Sequence, residues 1–142
     1  MTSYNITAIR AALKTQLAAI SSVQNVYDYM NPKIDGYPAV IFDVTNEDGT
    51  MLDDANNLRV ITFTIWAVTE VKVLGQSAAK DSLDSVVKDV VNSLEKITNA
   101  TLAGTADWVM PVIGRRTQVE SPEGLVMYQE IMLKVNVAST IL

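Results

Sequence analysis

The stretch from Asn57 to Glu70 reads Asn-Leu-Arg-Val-Ile-Thr-Phe-Thr-Ile-Trp-Ala-Val-Thr-Glu. Most of these residues are β-branched or aromatic, the types that suit a pleated surface. A period of two places Ile61, Phe63, Ile65 and Ala67 on one face and Thr62, Thr64 and Trp66 on the other. This predicts a central strand with one face under a helix and the other half-polar. No catalytic constellation accompanies it.

The rest of the chain has to cover that apolar face. Residues Thr2 to Ile20 read as an amphipathic helix, with Ile6, Ile9, Leu13, Leu17 and Ile20 at helical spacing and Ser3 or Asn5 as cap. The stripe packs on the chain's own sheet or is shared with another subunit. A second helix follows Gly75. Leu83, Val86, Val87, Val90, Val91, Leu94 and Ile97 form its apolar stripe, Ser77 is a good N-cap, and Asp84 and Lys88 stand as an i,i+4 pair. Its valines lower intrinsic helix propensity, so this helix depends on packing against the Ile61–Phe63–Ile65 face.

Four further stretches read as strand. Val23 to Met30 is short and weak. In Tyr37-Pro38-Ala39-Val40-Ile41-Phe42-Asp43-Val44, Pro38 belongs at a strand start or an edge. Trp108 to Val119 and Leu125 to Val137 form a closing hairpin around the turn Ser121-Pro122-Glu123-Gly124. Pro111 and Gly114 imply an edge or a bulge in its first arm. In its second arm Ile131, Leu133, Val135 and Val137 face the core, and Glu130, Met132, Lys134 and Asn136 point outward. The small-residue stretch Thr98 to Asp107 is a loop. The fold class that results is α+β: a mainly antiparallel sheet of four to five strands, covered on one face by two helices, in the order α-β-β-β-α-β-β.

Composition excludes several functions. The chain has 142 residues, which suits one domain over 1–142 burying roughly two-thirds of its unfolded surface. It has no cysteine and no histidine. Thiolate catalysis, disulfides and zinc–thiolate sites are thereby ruled out, along with the commonest general base. The net charge is −5. A general nucleic-acid binder would instead show a basic face. No apolar run reaches the length of a spanning helix, and the N-terminus lacks the pattern of a signal peptide.

One segment serves no evident core. Thr45 to Asn56 is polar and acidic and joins two strong strands, too long for an ordinary hairpin turn. It reads as an extended hairpin arm or a mobile loop. A calcium hand does not fit, because Gly49 at loop position six puts Val44 where an aspartate is required. Met51 and Leu52 are out of place among these acids and point to a contact with something else. Arg115-Arg116 is the chain's only adjacent basic pair: either a solvated bulge or the partner of the acidic arm on a neighbouring subunit.

With this order in hand, the chain resembles the tail-terminator proteins of long-tailed bacteriophages, and more widely the neck and tail-completion proteins. The opening helix running into Val23-Gln24-Asn25-Val26-Tyr27 carries the resemblance. So do the Tyr-Pro strand start in Gly36-Tyr37-Pro38-Ala39-Val40, the acidic arm leading into Asn57–Ile65, and the long helix before a closing hairpin. It spans nearly the whole chain. It implies a non-enzymatic virion protein without cofactor or metal, assembled in the host cytoplasm. Such a protein forms a homo-oligomeric ring, usually hexameric, that caps the tail tube and joins the tail to the head. Its partners are then further copies of itself, the tail tube protein and the head–tail connector proteins. DNA is only passing cargo, and no membrane is involved. A head-completion or connector protein of the neck is the alternative, and a small α+β ligand-binding domain a further one. On the residues themselves, the expected subunit interface comprises Asp48, Met51, Leu52, Asp53 and Asp54 on the arm, with Arg115 and Arg116 opposite.

Overall fold

The computed structural model describes residues 4–30, 32–51, 56–71, 75–96, 101–121 and 124–140. The elements are α1 (Ile6–Ala18), β1 (Asn25–Tyr27), β2 (Ala39–Met51), β3 (Asn56–Glu70), α2 (Gln76–Glu95), β4 (Trp108–Ser121) and β5 (Gly124–Thr140). They build a five-stranded sheet in the order β1-β2-β3-β5-β4. β1 pairs with β2 in parallel and every other pair is antiparallel. The Asn57–Glu70 stretch thus lies at the centre of the sheet, as its residue types predict.

The helix-covered face follows from the period-two pattern. Ile61, Phe63, Ile65 and Ala67 are fully buried, as are Ile131, Leu133, Val135 and Val137 on β5. They form one core with Ile9, Leu13 and Leu17 of α1 and Leu83, Val86, Val90 and Leu94 of α2. Phe42 and Phe63, diagonal neighbours on β2 and β3, meet edge to face at 6.0 Å, the arrangement that the ring quadrupole favours. Side-chain hydrogen bonds tie α2 to α1 and to the turn after it, Gln16 to Ser93 at 2.6 Å and Ser22 to Asp89 at 2.7 Å.

The helix ends differ in part from expectation. Asn5 caps α1 by accepting from the Ala8 backbone N–H at 3.1 Å. Ser77 does not cap α2. Gly75 holds that position at φ +79°, a conformation that favours glycine, and Ser77 falls within the first turn. Asp84 reaches Arg116 across the sheet at 2.6 Å rather than bonding to Lys88 on its own helix. Ile97 lies outside the described residues.

Among the described residues the opposite face carries no helix. β1 reaches β2 by a crossover, as parallel pairing requires, and this crossover sets Met30, Pro32 and Ile34 beside Ile41, Trp66 and Val68 on the open face. Thr62 and Thr64, expected on a half-polar surface, are buried even so. They sit mid-sheet with strands on both sides, and Thr45 Oγ1 lies 3.3 Å from the Thr62 carbonyl and 3.0 Å from Thr64 Oγ1. Asn136, expected to point outward to solvent, is also buried, because it stands in register between Val60 and Trp108.

Candidate assembly surfaces

The acidic segment is an extended hairpin arm. β2 and β3 stay paired out to Met51 opposite Asn57. β5 runs alongside, with Ser139 opposite Asn57, so the arm is three strands wide. It is a projection of the sheet itself.

A bulge at Thr45 sets the direction of the arm's side chains. Register shifts between Val44 and Asn46, and one extra residue reverses which face each following side chain occupies. Glu47 thereby comes to the helix side, where it accepts a hydrogen bond from the Tyr4 hydroxyl. That bond raises the Tyr4 pKa above its ordinary value, and burial adds to the shift. The Arg59 guanidinium lies 5.0 Å from the centre of the Tyr4 ring, within the range of a cation–π contact. The base of the arm is thus anchored to the start of α1. Asp48 takes the open face, where it is exposed and accepts from Asn46 Nδ2 at 2.9 Å. Met51 is the last residue of β2. Leu52, Asp53 and Asp54 lie outside the described residues.

The basic pair sits on the outermost strand. β4 is the sheet edge, and its register with β5 shifts between Ile113 and Arg116, so Pro111 and Gly114 mark both an edge and a bulge. Gly114 is packed tightly there: a Cβ would stand 3.2 Å from the Glu130 Cβ and carbonyl oxygen. The bulge separates the two arginines. Arg116 resumes pairing opposite Gln129, donates from Nε to Gln129 Oε1 at 3.0 Å, and binds Asp84 at 2.6 Å. Arg115 lies within the bulge and is exposed.

The described end of the arm and the arginines are far apart within one chain. Met51 pairs with Asn57, which is level with Ser139 on β5, whereas Arg116 is level with Gln129, a separation of about 30 Å along the strand.

A third surface was not foreseen. On the open face β4 presents Trp108, Met110 and Val112, exposed by 48%, 49% and 49%, and Met132 stands opposite Val112 on β5, exposed by 39%. Lone exposed apolar residues are ordinary; four in one strip are not. The signal was in the sequence. The run Trp108-Val109-Met110-Pro111-Val112-Ile113 is apolar at odd and even positions alike, the pattern of a strand covered on both faces. Among the described residues only one of those faces has a cover.

Among the described residues no group of three acidic side chains gathers as a metal site, and no helix is long and apolar enough to cross a membrane.

No family model matches the chain, and no curated protein matches it. Chains of known structure do. One of them belongs to the virion of a native gene transfer agent particle and aligns with a TM-score of 0.56 at 19% identity, over 96% of this chain and 100% of that one. At that identity the likeness is one of fold, and it runs from end to end of both chains.

Proposed function

We propose that this protein is a structural component of a phage-like virion, and that it forms a ring capping the tail tube and joining tail to head. The observation that carries the virion reading is the end-to-end likeness in fold to a chain of a gene transfer agent particle. The ring and its place at the tail end rest on the resemblance to tail terminators, which comes from the same order of elements. In this reading the 1–142 chain is one domain, six copies close the ring, and no chemistry is performed. The tail tube and the head–tail connector are its neighbours, and the net charge of −5 suits a passage along which DNA slides.

The subunit contact in this reading is heterologous, one surface against a different surface of the next copy, as a closed ring requires. The arm with Asp48, Met51, Leu52, Asp53 and Asp54 is one side, and the Arg115–Arg116 bulge is the other. The separation of the two within a chain fits that geometry. Because Arg116 is already bound to Asp84, Arg115 carries the outward charge of the pair. Rim ion pairs are each worth about 0–1 kcal/mol, so the apolar residues of the arm supply most of the affinity.

The test is assembly of particles carrying Met51→Asp with Leu52→Asp, alongside circular dichroism of the isolated subunit. The expected outcome is a folded chain and tails that are neither capped nor joined to heads. Complete, infectious particles would overturn the placement of the interface. Normal tails accompanied by heads that lose their DNA would favour the connector alternative.

A further inference from the structure

We infer that the exposed strip Trp108–Met110–Val112, with Met132, is the seat for the arm of a second copy of this chain. The inference rests on the self-assembly reading above and names the surface that receives the arm.

Three observations point to this occupant. The first is charge. The arm from Asp43 to Met51 carries Asp43, Glu47 and Asp48 and no basic residue, whereas β4 from Trp108 to Gln118 carries Arg115 and Arg116 and no acid. Lys134 stands opposite Met110 and is exposed. On the open face the strip is therefore apolar along its length, bordered by Lys134 and, beyond Met132, by Glu130, with Arg115 exposed in the bulge at its far end. The arm turns Asp48 to that same face, while Glu47 and Arg59 are held on the other side at Tyr4. The chain as a whole is acidic, so exposed Lys134 and Arg115 beside the strip offer an acidic segment of another copy a counter-charge.

The second is length. The distal arm from Thr45 to Met51 and the strip from Trp108 to Gly114 are both extended strand, each spanning about 20 Å. Laid side by side in the same direction, with Thr45 at Trp108, they bring Met51, the last residue of β2, level with Gly114 next to Arg115. Asp48 then falls along the middle of the strip, near Lys134. The arm-to-arginine contact proposed above and the covering of the strip become one docking event.

The third is the state of the β4 edge. Pro111 has no N–H to give, and the bulge between Ile113 and Arg116 breaks the ladder repeat. These features obstruct the addition of a continuous strand to that edge. The strip is thus read through its side chains, with Trp108 as the anchor most able to dominate such a contact.

The chain contains no cysteine, so engineered pairs report without background. Full-length Asp48→Cys and Met110→Cys proteins would be mixed and oxidised, and the disulfide-linked species identified. The expected product is a 48–110 heterodimer that forms only on mixing. A dominant 110–110 dimer would show that the strip packs against its own copy and would overturn the inference. Sedimentation velocity of Met110→Asp is expected to show self-association weakened at least tenfold, with circular dichroism unchanged. Lys134→Glu should weaken it less, and Asp48→Lys should restore part of that loss.

If the wild-type chain associates and the Met51/Leu52 variant does not, while Met110→Asp associates normally and no 48–110 link forms, the strip is not the seat and the ring reading stands. A wild-type chain that stays monomeric at all attainable concentrations would remove both.

Discussion

The two faces of the sheet are cut from the same strands but answer different demands. On the helix side Ile61, Phe63, Ile65, Ile131, Leu133 and Val135 are sealed from water beneath α1 and α2. On the other side the rows run from acid to apolar. Asp48, Val60, Asn136 and Trp108 lie in one register, and Asp43, Thr64, Met132 and Val112 in another. The first face converts alternation into stability. The second places Ile41, Trp66 and Val68 beside Met30, Pro32 and Ile34 at one end, and at the β4 edge leaves Trp108, Met110 and Val112 exposed, where they add little to the fold of one chain and are available to another molecule. A strand can therefore be core on one side and contact surface on the other, and the difference lies in what covers it.

The largest effect is expected on the covered face. Phe63→Ala removes a fully buried ring that packs edge to face on Phe42. The cost is expected at about 3–5 kcal/mol, a large share of a stability of about 5–15 kcal/mol. Urea denaturation should show a much lower midpoint. An unchanged midpoint would mean that this face is not the core.

A smaller effect is expected at the bulge. Arg116→Ala removes the bond to Asp84, whose side chain is 62% exposed against 32% for Arg116. A pair this open to water is worth about 0–1 kcal/mol and weakens with salt. Thermal unfolding at low and high ionic strength should bring the variant and the wild type together as salt rises. A loss that persists in salt would assign Arg116 a packing role instead.

The smallest effect on the folded subunit is expected from the open strip. Val112→Thr with Met132→Thr should change the stability of the isolated subunit by no more than about 0.5 kcal/mol for each substitution, the usual range at exposed positions. Denaturation well below the concentration of assembly checks this. A large loss would show that the strip serves the monomer, and the contrast between the two faces would disappear.

Much of this was legible from local pattern. The central strand, both apolar helix stripes and the inward set on β5 are periodic, and period follows from backbone geometry alone. The Asn5 cap was readable for the same reason, since capping involves only near neighbours. The α2 start was misread because Ser77 is an equally good local candidate, and the observed boundary lies two residues earlier at Gly75. The arm was legible as a polar insertion between strong strands. Its form as a three-stranded extension was not, because that depends on β5 continuing past the core to Thr140.

What the sequence determined by itself is therefore the set of elements and the face of each that must be buried. Hydrophobic spacing is local, and it offers few alternatives once the elements form. Three matters were left to the tertiary structure. The Thr45 bulge decided that Glu47 meets Tyr4 while Asp48 takes the open face. The β4 bulge decided that Arg116 turns to Asp84 while Arg115 stays exposed. The strand order β1-β2-β3-β5-β4 decided that Trp108, Met110 and Val112 lie exposed on an edge strand. Each depends on which strands become neighbours and where one residue slips out of register. Contacts between residues far apart in the chain settle such questions, and no local window contains them.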